Sequence, residues 1–209
     1  MKKLFILLFI FTWINISAQN IGIKLGSTFS TIMADDSSFD NYKTDPLNLG
    51  IYIGIFGNIN LLHSLNYRPE ICFSEYGYKY ELDVLNANFP EKYLTQNIGF
   101  ASHFEYLITN QFSLILGPKI DYILGGKITH SIGNMDSYNI NNTIESWELK
   151  DRLDYFFNLG FCYKITDLFL IDISYSHGKY HRKYPSEIID DPDTKLRKQI
   201  IQATIGFQF

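Results

Sequence analysis

An eight-stranded antiparallel up-and-down transmembrane β-barrel is the fold this sequence predicts, and three observations predict it. Apolar residues recur at every second position in one segment after another, the connections between segments alternate short and long, and the chain closes in mid-strand on a bare phenylalanine, Phe209. A two-residue period marks strands whose two faces meet different surroundings. Short turns at one end and long polar loops at the other are the layout of a transmembrane barrel, with turns periplasmic and loops extracellular. An even strand count then places both chain termini in the periplasm.

The first element is a leader. MKKLFILLFIFTWINISAQN sets two lysines before an apolar run from Leu4 to Ile16, then small residues at Ser17 and Ala18. That order predicts a signal peptide over residues 1–18 and a barrel domain over 19–209. The run falls short of the ~20 apolar residues a spanning helix needs. Loss of Lys2 and Lys3 with the leader takes the formal charge from -4 to about -6, which leaves no basic face for nucleic acid. No linker, low-complexity tract or charge block divides the remainder, so one domain is expected.

The strands follow in order. Residues 21–30 set Ile21, Ile23, Leu25 and Phe29 against Gly22, Lys24, Gly26 and Thr28. Residues 47–59 set Leu47, Leu49, Ile51, Ile53 and Ile55 against Asn48, Gly50, Tyr52, Gly54 and Phe56. Segments 65–73, 97–106, 112–124, 153–165 and 168–177 come next, and several of them show the same odd-even split. Pro69 and Pro118 each remove a ladder donor, which predicts bulges in those two strands. The eighth strand, KQIIQATIGFQF, carries Ile201, Ala203, Ile205, Phe207 and Phe209 on one face and Ile200, Gln202, Thr204, Gly206 and Gln208 on the other. Connections 58–64, 107–111 and 166–167 are short, whereas 31–46, 74–92, 125–152 and 178–197 are long and polar. At ~3.3 Å per residue and a tilt near 40°, each residue climbs roughly 2.5 Å, so ten residues cover the ~25 Å apolar band.

A soluble closed barrel shows the same alternation with its apolar face turned inward. The leader, the uncovered Phe209 and the loop asymmetry favour lipid: a terminal aromatic on an outward face needs no shield there, and closure against the first strand removes a pairing edge.

The words IGIKLGSTFS, YRPEICFSEYG, LILGPKIDYILGGK, LGFCYKI and IGFQF, in that order, resemble the PorT-type outer-membrane β-barrel family of Gram-negative bacteria. Its members carry similar G-x-K-x-G, Q-P-E, G-P-x-x-x-Y and G-F/Y-x-F words, and Arg68 stands where the family often has Gln. The resemblance covers nearly all of the mature chain. It implies the fold, the outer membrane, a C-terminal insertion signal at Phe207 and Phe209 for the barrel-assembly machinery, and an accessory role in a protein-secretion or surface complex.

With the apolar face toward lipid, parity turns Lys24, Arg68, Lys119 and Lys164 inward against Glu70, Glu105, Asp121, Asp154 and Asp172, with His103 among them. Side chains fill an eight-stranded barrel, and buried charges must pair. A plugged lumen is therefore expected, with a narrow channel lined by the same ions as the alternative. Cys72 and Cys162 also turn inward, on strands about 15 Å apart, too far for a bridge, which predicts two free thiols.

Candidate chemistry is sparse. Ser174, Ser176 and His177 suggest an acyl-transfer pair acting on lipid A, but Ser176 and His177 are adjacent and point to opposite faces. Lys179, Arg182 and Lys183 form a rim suited to lipopolysaccharide phosphates. Asp35, Asp36, Asp190, Asp191 and Asp193 lack a spacing that demands Ca²⁺, so turn chemistry is the better reading. The 125–152 connection, with Tyr138 and Trp147, offers either a recognition surface or girdle aromatics. No metal or cofactor is expected. The expected function is a non-enzymatic structural or interaction barrel, ahead of a narrow channel and a lipid-A-modifying enzyme.

Overall fold

The computed structural model describes residues 20–34, 42–45, 48–84, 87–130, 137–139, 152–180 and 196–209. They form ten strands: β1 (Asn20–Ala34), β2 (Tyr42–Asp45), β3 (Asn48–Leu62), β4 (Leu65–Val84), β5 (Ala87–Leu107), β6 (Phe112–His130), β7 (Ser137–Asn139), β8 (Leu153–Lys164), β9 (Phe169–Tyr180) and β10 (Leu196–Gln208). Eight of them close a ring in the order β1, β3, β4, β5, β6, β8, β9, β10, every neighbour antiparallel. The other two are short additions, β2 pairing with β4 and β7 with β6.

The seam lies between β1 and β10, in register from Gly22↔Gln208 to Ala34↔Leu196. Phe209 completes it, its amide donating to the Ile21 carbonyl at 2.8 Å. The chain thus ends on a residue that the ladder uses, and no unpaired edge remains at the join.

Most outward positions of the barrel strands are apolar and most inward ones polar. Leu25 is 64% and Phe209 66% exposed, while Arg68 is 1% and Asp121 0% exposed. A water-soluble surface does not carry such a continuous apolar belt, whereas hydrocarbon tails accept it.

Two of the turns are set by threonine. Thr109 Oγ1 accepts from the amides of Gln111 and Phe112 at 3.2 and 2.9 Å, and Thr166 Oγ1 accepts from those of Leu168 and Phe169 at 3.2 and 3.0 Å. In each the hydroxyl substitutes for a missing ladder partner and reverses the chain within a few residues. The third turn is only His63 and Ser64, tighter than the predicted 58–64.

The expectation of a long loop over 74–92 is corrected. β4 and β5 continue as one hairpin, paired from Ser74↔Asn97 to Val84↔Ala87. In this stretch Glu75, Lys79, Lys92 and Gln96 share the outer parity. No oily face advertises the strand, but Tyr and Thr suit a pleated surface and cross-strand pairing holds it. β1 and β6 likewise run on to Ala34 and His130.

Of the bulges expected in the two proline-bearing strands, β6 carries one, at Leu124 and not at Pro118, where Gln96 and Asn97 pair with Gly125 and Ile123; the β4 expectation is corrected, since the other shift leaves out Leu61 on β3, and the ladders pass Pro69 and Pro118 without a shift of register. A proline withholds one donor yet leaves the pleat intact, so flanking pairs keep their alignment. The leader over 1–18, together with Asp35, Asp36, Trp147, Arg182, Lys183, Asp190, Asp191 and Asp193, lies outside the described residues.

Candidate functional site: the charged interior

Inward positions two apart on one strand stack along the barrel wall, which is why the charges come as near neighbours: Arg68 with Glu70, His103 with Glu105, Lys119 with Asp121. Ring closure brings these pairs together. Lys24 on β1 lies 2.6 Å from Glu70 Oε2 on β4 and 2.9 Å from Asp172 Oδ2 on β9. Arg68 on β4 donates to both Asp172 oxygens, through Nη2 at 2.8 Å and Nη1 at 3.4 Å. Its guanidinium also sits 4.2 Å from the centroid of the Phe56 ring on β3, a cation–π contact away from water.

Around this four-charge centre further polar groups make contacts of their own. Tyr52 OH donates to Glu70 Oε1 at 2.6 Å. Glu105, 4.0 Å from Arg68, accepts from Ser113 at 2.6 Å, Asn58 at 3.2 Å and Asn66 at 3.5 Å. His103 places Nδ1 3.9 Å from Glu70 and Nε2 2.9 Å from the Asn158 amide. Toward the long-connection end, Lys119 pairs with Asp121 at 2.9 Å, and Lys198 on β10 pairs with Asp154 on β8 at 2.8 Å. Tyr76 OH donates to Asp154 at 3.0 Å, and its ring lies 4.4 Å below the Lys198 ammonium.

Two glycines make room for these carboxylates. A Cβ on Gly54 would collide with Glu70 Oε1, and one on Gly99 with Asp121 Oδ1. Any larger residue there pushes a charge off its partner.

Every ring strand supplies a member of the network. Its buried cations are Lys24, Arg68, Lys119 and Lys198, and its carboxylates Glu70, Glu105, Asp121, Asp154 and Asp172. The sequence expectation named Lys164 where Lys198 belongs. Lys164 shares the inward parity but ends β8 beside the turn, half-buried, and no ion pair among the described residues includes it. A side chain at the mouth reaches water and needs no buried partner. Lys198 was legible from its parity with Ile200, Gln202 and Thr204.

Two apolar clusters sit among the charges. Phe56, Ile115, Cys162 and Leu170 cluster toward the turn end, and Tyr76, Phe156 and Ile200 toward the other. Above the second cluster the Tyr78 and Tyr93 rings stack at 5.1 Å. Cys72 and Cys162 are both buried free thiols, as the strand separation predicted. Maleimide is expected to leave both unmodified in the folded protein and to label both after unfolding, with mobility on gels unchanged by reductant. Labelling of the folded form would reveal an interior open to solute.

The serine–histidine pair is separated by the wall. Ser176 is buried inside, while His177 is on the outer face with Nδ1 3.4 Å from Tyr175 OH. Of the predicted rim, Lys179 lies on β9 by register, opposite Arg197.

The family model described as outer membrane protein beta-barrel domain matches residues 17–178. The chain belongs to that family, and it is a small eight-stranded barrel of the outer membrane. Among solved structures, Neisserial surface protein A is similar at 11% identity and a TM-score of 0.51, covering 92% of this chain and 98% of its own. The attachment invasion locus protein Ail of Yersinia pestis, solved with the heparin analogue sucrose octasulfate, aligns at 15% identity and TM-score 0.48, over 91% of this chain and 98% of Ail. OprG of Pseudomonas aeruginosa aligns at 14% identity and TM-score 0.44, over 91% and 95%. Likeness at such identity is a likeness of fold alone. No curated protein matches the sequence.

Proposed function

We propose that this protein is a PorT-like structural or interaction barrel, a non-enzymatic lipid-embedded scaffold accessory to a protein-secretion or surface complex, whose lumen is plugged. The observation that supports this reading is the interior: charges from seven of the eight ring strands pair with one another, and β3 adds the hydroxyl of Tyr52. Such a filling ties the wall to itself and opposes the passage of water and ions. The face left for partners is then the outer wall and the two ends.

In this reading the tight turns and both termini are periplasmic, and the long connections extracellular. Phe207 and Phe209 are the groups the barrel-assembly machinery reads during insertion. Their rings meet edge to face at 5.0 Å, and Phe207 meets Phe169 in the same way at 5.2 Å, so the closing seam presents an aromatic patch.

The test has three readouts. In planar bilayers the purified protein is expected to give no conductance steps, and steady single-channel steps would replace this reading with the narrow channel. Expression is expected to leave lipid A acylation unchanged; a change abolished by Ser174→Ala or Ser176→Ala would instead make it an enzyme. Tagged protein is expected to retain components of a secretion or surface complex, and their consistent absence would reduce the role to the membrane itself.

A further inference from the structure

We propose that the turn-end mouth of the lumen holds one small monovalent cation, bound by Glu105 with Asn58, Asn66 and Ser113. The site goes beyond the scaffold reading and adds an ion to the filled interior.

Charge balance points to the place. Lys119 lies on Asp121 at 2.9 Å and Lys198 on Asp154 at 2.8 Å, which leaves Lys24 and Arg68 for Glu70, Asp172 and Glu105 among the described residues. Two cations thus face three carboxylates. Lys24 stands 2.6 Å from Glu70 and 2.9 Å from Asp172, and Arg68 2.8 Å from Asp172, whereas Glu105 has Arg68 only at 4.0 Å. Glu105 is buried, so bulk water does not solvate the surplus. The other basic groups at this end do not take the place: His103 faces Glu70 and Asn158, and Lys164 forms no ion pair among the described residues.

The ligands come from four neighbouring strands. Asn58 on β3, Asn66 on β4, Glu105 on β5 and Ser113 on β6 are all buried on the inner face. Asn66 and Ser113 follow the first residues of their strands and Glu105 stands just before the end of its own, so an ion reaches the group from the turns.

Glu105 divides its two oxygens. Oε1 faces Arg68 and accepts from Ser113, while Oε2 meets the carboxamides, Asn58 Nδ2 at 3.2 Å and Asn66 Nδ2 at 3.5 Å. The signal for a ligand is Asn58 Oδ1, a buried oxygen with no hydrogen-bond partner among the described residues. A half-turn of the two carboxamides exchanges nitrogen for oxygen at almost unchanged shape, and a carboxylate oxygen, two carbonyl oxygens and the Ser113 hydroxyl then surround one point. Hard cations take such oxygens, but the set is too small and too weakly charged for Ca²⁺. One surplus negative charge selects a monovalent ion such as sodium.

The full chain, refolded into phosphatidylcholine vesicles, is titrated with urea while sodium chloride replaces choline chloride at constant ionic strength. With a dissociation constant of about 10 mM, raising sodium to about 300 mM is expected to raise the folding equilibrium constant about thirty-fold. Glu105→Gln, which keeps the shape, and Asn58→Leu, which keeps the charge, are each expected to respond less than about three-fold. Glu75→Gln, an acid on the outer face, is expected to respond like the parent. Absence of a sodium response in the parent overturns the site, and is the result expected if Glu105 held a proton instead. A parent-like response in Glu105→Gln, or an equal loss in Glu75→Gln, overturns it as well; should Glu105→Gln not refold, Asn58→Leu decides. A larger response to magnesium chloride than to sodium would overturn the monovalent assignment.

Discussion

Arg68→Met is expected to lower the unfolding free energy of the lipid-embedded barrel by about 3–5 kcal/mol, read from urea titrations in vesicles. The guanidinium is the group that balances the centre: without it, Lys24 alone faces both Glu70 and Asp172. Methionine fills the volume but leaves the second carboxylate short of a cation in a place from which water is excluded. The penalty comes from the charge left behind more than from the bonds removed, and a second substitution tests that. Asp172→Leu added to Arg68→Met leaves Lys24 and Glu70 as a one-to-one pair, so the double variant should recover most of the loss. A single-variant cost below about 1 kcal/mol, as found for solvent-exposed pairs, would mean that water reaches the network and that the plugged lumen is wrong.

Ile55→Arg is expected to cost about 2–4 kcal/mol in the same assay, and Leu61→Arg no more than about 1. Both side chains are outward on β3, Ile55 58% and Leu61 48% exposed. By ordinary reasoning about a soluble protein either change would be nearly neutral, since each puts a charge on an exposed site. They differ in depth: six residues at roughly 2.5 Å of climb separate them by about 15 Å. Leu61 is next to the turn, from which an arginine reaches the interface, while Ile55 is near the middle of the belt. Equal and small effects would show that the oily wall does not face hydrocarbon.

Much of the barrel was legible because a strand's period is short and its register with lipid is unforgiving. The alternation at 47–59 and 198–209 named the outward residues one by one, and the structure places Leu49, Ile51, Ile53, Ile55, Ile201 and Ile205 on that wall. The free thiols were legible for the same reason, since parity and strand number bound their separation. The β4–β5 hairpin was not, because Glu75, Lys79, Lys92 and Gln96 stand at the outer parity and give no apolar alternation to read. The exchange of Lys164 for Lys198 has a similar origin: parity reports the face of the wall but not the distance to its mouth.

The order of residues by itself determined which side chains point into lipid and which into the lumen, because that depends only on odd and even positions along each strand. It also determined that the lumen would be charged, near balance and built from many strands. Only the closed ring decided who meets whom: Lys24 finds Asp172 across 148 residues, and Arg68 finds the same carboxylate from β4. The physical reason is that partners in a barrel are chosen by height and by angle around the axis, and both are set by strand tilt and by the stagger of all eight ladders together. No single segment contains that information.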